Sequence, residues 1–151
     1  MSDPSSQIDG TDLEVIELLR ENARRTLGDI AARVGLSAPA VKRRIDRLER
    51  IGVIKGYSLV LDHSKMGRPL EAFTEVRFTG SARVDSIAGI ADEIPEVEAV
   101  FTIAGDPDAL VWIRVSDVQD LKRVVDRIRA SGKVTGTKTL MVLGRSSKHM
   151  T

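Results

Sequence analysis

The chain contains no cysteine. That excludes disulfides, thiol nucleophiles and cysteine-ligated metals, and it suits a reducing cytoplasm. Histidine is almost as scarce: His63 and His149 are the only two, far apart, so a metal site is not expected. No run of about 18 apolar residues occurs, which excludes a helical membrane span. The start, MSDPSSQ, carries neither a basic region nor an apolar core, so no signal peptide is expected there. A Gly-rich phosphate loop is also missing. Asp92-Glu93 and Glu96-Glu98 flank Pro95 as a solvated helix end rather than a buried acid/base pair, and Asp106 with Asp108 offers too few ligands for a cation. No cofactor and no catalytic residue is expected.

What remains is a chain of 151 residues with 42% apolar composition, enough for one or two domains with cores of their own. The net charge is only +1, but it is unevenly spread. Residues 1–32 hold three basic and seven acidic side chains, whereas residues 33–55 hold seven basic and two acidic. A local concentration of cations is the electrostatic footprint of a nucleic-acid interface.

That basic stretch has a definite architecture. Leu27, Ile30, Ala31 and Val34 repeat at i, i+3, i+4 and i+7, one face of a short helix. Thr26 and Asp29 have capping-box spacing. Gly35 can end the helix in the left-handed region, and Ser37 can cap a second helix that takes Pro39 in its first turn. Val41, Ile45 and Leu48 turn that helix inward, and Gly52 ends it. Two helices joined by so tight a turn cross steeply, which requires a small residue such as Ala31 at the contact. This is the spacing of a DNA-binding helix-turn-helix. The second helix is the one expected to enter the major groove. Ala40, Arg43 and Arg47 fall on one outward row, with Ser37, Pro39, Lys42 and Arg50 beside it. Arg44 lies at the buried edge, its stem packing and its head within reach of a phosphate.

Upstream, Asp9 can cap a helix from Gly10 to Asn22, with Asp12 in its first turn and Leu13, Ile16 and Leu19 toward the core. Arg24 and Arg25 follow its C-terminus, where cations suit the dipole. The three helices make one winged-helix-like unit over residues 9–55, after a disordered start at 1–8. Gly56 to Asp62 reads as a strand and His63 to Pro69 as a turn-rich linker.

Residues 70–144 then change period. Leu70–Phe78 alternates, with Ala72, Thr74, Val76 and Phe78 on one face. Val84, Ile87, Ala91 and Ile94 are spaced as a helix. Strands follow at Val97–Ala104 and Ala109–Val115, a helix at Val118, Leu121, Val125 and Ile128, and a strand at Thr137–Leu143. The order βαββαβ is that of a ferredoxin-like sandwich, so the whole is an α+β chain of two domains with a short tail at 145–151. With both helices on one face of the sheet, the other is bare. Phe73, with either Leu110 and Trp112 or Val111 and Ile113, would expose an apolar patch fit for an interface. A dimer is the minimum unit expected, because one helix-turn-helix reads too few base pairs to find a site.

Ile8, Asp9 and Asp12, the Asn22–Arg24 helix exit, and IAxxVGLSxxxVxxRIxxLExxGVIxGY from Ile30 to Tyr57 together resemble the Lrp/AsnC transcription regulators of bacteria and archaea. The resemblance covers nearly the whole chain. It implies a homodimer, assembling to a tetramer or octamer, that binds double-stranded DNA in the cytoplasm at the nucleoid. It also implies an effector, usually an amino acid, held between dimers by a Gly-x-x-Asp loop and the start of the last strand. Those positions are Gly105, Asp106, Pro107 and Asp108, with Thr135, Gly136, Thr137 and Thr139. Pro107 stands where many members carry an aromatic residue, and it removes a backbone N–H that a carboxylate could use. GDPD also reads as a plain β-turn. Two other readings stay open: an effector-independent architectural DNA-binding protein, and an enzyme with a fused regulatory sheet domain.

Overall fold

The computed structural model describes residues 8–79, 89, 93–130 and 134–146. Their contacts divide the chain into two compact units, the first ending at Val60 and the second running from Leu61 to Ser146.

The described residues of the first unit form three helices: α1 (Gly10–Glu21), α2 (Leu27–Val34) and α3 (Ala38–Arg50). Each start is capped by an oxygen side chain, which satisfies N–H groups that the helix leaves without partners. Thr26 accepts from Asp29 N–H and Ser37 from Ala40 N–H. The reciprocal capping box occurs at α1, where Asp9 and Asp12 each accept the other's backbone N–H. Gly35 takes φ +68° and ends α2, as its lack of a Cβ permits. Val15, Ile30, Ala31, Val41 and Ile45 form the core, with Leu18, Leu27 and Ile54 against it.

Two expectations change here. Leu13 is 59% exposed, and α1 instead buries Asp12 and Val15. The helix is rotated so that a carboxylate faces inward, a phase that a pattern of apolar residues alone does not reveal. Gly56–Asp62 forms no strand among the described residues; Leu59 is 81% exposed and Val60 62%. The three-helix unit offers that segment no neighbouring strand to complete a ladder.

The second unit contains β1 (Leu70–Phe78), β2 (Val97–Thr102), β3 (Ala109–Val115), α4 (Val118–Arg129) and β4 (Val134–Met141). The sheet is antiparallel in the order β2-β3-β1-β4. The helix expected around Val84–Ala91 lies outside the described residues, apart from Gly89. Ile94 is buried in the core. The inward row of β1, Ala72, Thr74 and Val76, is fully buried, and Leu121, Val124, Val125 and Ile128 of α4 complete the same core. Thr74 and Thr139 satisfy each other there, hydroxyl to hydroxyl, at 3.0 Å. Val118, at the first position of α4, is exposed.

The opposite face settles the alternative for β3. Val111 and Ile113 are buried among the core residues, so Leu110 and Trp112 point the other way. Phe73 pairs with Trp112 and Leu140 across neighbouring strands, and Phe101 with Leu110. Phe101 and Leu140 are exposed, and Phe73 and Trp112 are stacked with centroids 6.3 Å apart. At one end of this face Glu71 accepts from Trp112 Nε1 at 2.8 Å and from Arg145 at 2.7 Å, and both Arg114 and Arg145 lie over the indole.

Candidate nucleic-acid interface and effector loop

The recognition helix α3 is fixed to the first unit from two sides. Its apolar row, Val41, Ile45 and Leu48, is sealed in the core. Its second attachment is ionic. Arg44 donates to Asp9 and Asp12, both at 2.7 Å, and Arg47 donates to Asp12. Asp12 is fully buried, whereas the two arginine side chains are 28% and 33% exposed. Burial pushes the Asp12 carboxyl up, but the Asp9 backbone N–H and the two guanidinium groups outweigh it and hold it below the usual carboxylate range. The hydrogen bond from Arg44 likewise lowers the Asp9 carboxyl. Arg25 plays a similar part at the other end of α1. It donates to the Leu18 carbonyl, to Asp29 and to Glu21, joining the end of α1 to the start of α2.

The expected DNA-contact residues therefore divide. Arg43 and Arg50 are exposed and form no ion pair among the described residues. Lys42 is exposed and holds Asp46 one turn along the helix at 2.6 Å. Ser37 and Pro39 lie exposed at the helix start, and Ala40 is half-buried beside them. Arg44 and Arg47, expected at the buried edge and on the outward row of α3, direct their charged heads to carboxylates at the start of α1. The sequence signal for this was the Asp9–Asp12 spacing, which puts two carboxylates in one helical turn.

The loop between β2 and β3 is closed from within. Ile103 N–H donates to the Asp108 carbonyl at 2.9 Å, and the Asp106–Pro107 peptide is cis. The Asp108 carboxylate accepts from Phe78 N–H at 2.8 Å, pinning the loop to the end of β1. Asp106 accepts from Arg77 Nε at 2.6 Å. On the other side of β1, Gly136 pairs with Arg77 and Val134 with Phe78, across a register shift that leaves Thr135 without a partner opposite. Loop and last strand thus converge on the same end of β1. The threonines do not all face it. Thr137 accepts from Arg129 of α4 at 2.8 Å, and Thr139 is engaged with Thr74 in the core; Thr135 is exposed. Arg77 is the residue missed by sequence reading, because only the sheet register brings it to the loop. A shallow groove along α4, lined by Gln119, Lys122, Arg123, Asp126 and Arg127, includes no loop residue. Among the described residues, no group of three His, Asp or Glu side chains could hold a metal ion, and no helix is long and apolar enough to cross a membrane.

A capped helix-turn-helix followed by an α+β domain with a structured loop at its sheet end defines the class of two-domain regulators that couple DNA binding to a ligand-binding domain. Residues 8–55 match the winged helix-turn-helix DNA-binding family and residues 71–151 the Lrp/AsnC ligand binding domain family. The chain belongs to the Lrp/AsnC family of transcription regulators. It is 36% identical to an HTH-type transcriptional regulator of Mycobacterium tuberculosis, over 91% of this chain and 93% of that one. It is 31% identical to the HTH-type transcriptional regulator LysM of Saccharolobus solfataricus, over 92% and 96% of the two chains. In structure it resembles a transcriptional regulator from Neisseria meningitidis solved in complex with L-methionine, at a TM-score of 0.86 and 26% identity, covering 95% of this chain and 96% of that one. These families are DNA-binding and regulatory, not enzymatic.

Proposed function

We propose that the chain is a sequence-specific regulator whose second domain assembles copies of itself and senses an amino acid. The observation that carries the sensing role is the convergence of the Gly105–Asp108 loop and the start of β4 on one end of β1. The neighbour solved with L-methionine supports an amino acid as the ligand class. Assembly through the bare sheet face follows from its exposed Phe101 and Leu140 around the stacked Phe73 and Trp112, giving a dimer and then a tetramer or octamer. A site between subunits would couple the two roles, because a ligand touching two chains stabilises only the assembled form. DNA is read by α3, with Arg43 toward the bases and Arg50 toward the backbone, in the cytoplasm at the nucleoid. Asp108, spent on Phe78 N–H, positions the loop, and the exposed Asp106 is the carboxylate available to a ligand.

The internal closure of both loop carboxylates favours a second reading, an architectural protein that responds to no effector. A thermal-shift screen of the twenty amino acids, followed by operator binding and light scattering with and without the best one, decides between them. A ligand that raises the melting temperature and alters operator affinity or oligomer size supports sensing. No response to any of the twenty supports the architectural reading, and a monomer at micromolar concentration rules out the assembly role.

A further inference from the structure

Among the described residues, Arg77 is the cation that reaches the Gly105–Asp108 loop. Its Nε binds Asp106 at 2.6 Å, while Glu75 stands 3.6 Å from its Nη2. Glu75 is shared with Lys138, at 3.7 Å, so it neutralises Arg77 only in part. An arginine has five N–H donors in a planar fork, and here Asp106 accepts the only hydrogen bond that Arg77 donates among the described residues. Across the ladder Gly136 stands opposite Arg77, and an added Cβ on that glycine would meet nothing within 4 Å. Arg77 is 40% exposed and Asp106 74%, so their pair is a surface ion pair, which costs little to open.

We infer that Arg77 is an effector-binding residue: it receives the ligand's carboxylate, and Asp106 receives the ammonium. This rests on the sensing role proposed above. The chemistry follows from matched pairs. A guanidinium takes a carboxylate through two parallel hydrogen bonds, and a carboxylate takes an ammonium through a charge-assisted one. A zwitterion satisfies both groups at once and replaces their mutual contact, so neither charge is left alone. An amine without a carboxylate would strand Arg77, and a carboxylic acid without an amine would strand Asp106 in front of a like charge. The ligand class is thus an α-amino acid with both charged groups free. Its side chain is left to other parts of the site.

Calorimetry on the full-length protein tests this, with L-methionine as the first probe and then the other nineteen amino acids. For the tightest binder, its amide, which lacks the carboxylate, and its N-acetyl derivative, which lacks the ammonium, are titrated into the unaltered protein. The amino acid is titrated into Arg77→Gln and Asp106→Asn. Loss of a charged hydrogen bond predicts binding weaker by about tenfold or more in every one of these four cases. The derivatives need no mutant, so the result does not depend on the variants folding. If the amide, or the amino acid on Arg77→Gln, binds as tightly as the unaltered pair, the assignment of Arg77 is overturned while sensing stands. If none of the twenty amino acids binds, the sensing role falls and this inference falls with it.

Discussion

Asp12 is the residue on which the DNA-binding unit depends most. It is buried without access to solvent, and it accepts from one backbone N–H and two arginines of the recognition helix. Replacing it with alanine leaves Arg47 without its partner and Arg44 with Asp9 alone, and breaking a buried ion pair in this way is strongly destabilising. Because both arginines keep some exposure, we expect a loss of about 2–3 kcal/mol, read as a lower midpoint in denaturant unfolding. The pH dependence has a definite sign. The folded-state carboxyls of Asp9 and Asp12 lie below their unfolded values, so their contribution is full above the ordinary aspartate range. It is lost as pH falls below about 4, through the lowered folded-state values. Acid unfolding monitored by helical circular dichroism should show this, and Asp12→Asn should flatten it. The same ion pairs separate two neighbouring arginines by function. Arg43→Ala should relax base preference at one operator position, a contact worth ~1–3 kcal/mol, and leave the melting temperature alone. Arg47→Ala should lower the melting temperature. A competition assay over mutated operators, run beside thermal unfolding, distinguishes them, and unchanged base preference in Arg43→Ala would refute its placement.

At the scale of elements, caps and apolar periods were legible and polar anchors were not. The periods placed α2 and α3, and Thr26, Gly35 and Ser37 fixed their ends, because each of those residues acts within its own turn. Strands β1 and β3 followed from alternation and from a continuous apolar run. Leu13 misled because counting only apolar residues sets the wrong phase when a carboxylate occupies the inward position. Strand β4 begins at Val134, ahead of the expected Thr137, since the irregularity between Arg77 and Phe78 lets Gly136 and Val134 both pair. Strand β2 stops at Thr102, short of Ala104, because Ile103 N–H turns to Asp108. In the same way the turn formers of the Gly105–Asp108 loop were legible as a loop between two strands. Arg77 was not, since a register 29 residues away in sequence puts it beside Asp106. Gly35 allows a direct check on the turn between α2 and α3. Its φ is +68°, and an added Cβ would meet no atom within 4 Å, so the cost of substitution is conformational alone. Gly35→Ala should cost roughly 1 kcal/mol by thermal unfolding. A neutral result would mean that the turn relaxes out of the left-handed region.

The whole molecule consists of two units with separate cores, one of Val15, Ile30, Val41 and their neighbours, the other of the β1–β3 and α4 residues. Among the described residues each core draws its buried side chains from its own unit, so a change that loosens one should leave the other's packing intact. The chain between them, from Lys55 to Asp62, is exposed along its length and makes no ladder among the described residues. Tyr57, Leu59 and Leu61 are the bulky side chains it displays. Chymotrypsin accepts extended backbone with such residues, and it cannot easily enter the capped helices or the sheet. Brief digestion should therefore cut first between residues 57 and 61 and release two resistant fragments, seen by mass spectrometry as a DNA-binding piece and a ligand-binding piece. Early cuts inside α3 or β1 would contradict this. The consequence reaches beyond proteolysis. A joint that neither core depends on is a place where one reading head can be exchanged for another, and a graft at residue 60 should give a hybrid that obeys the donor's operator.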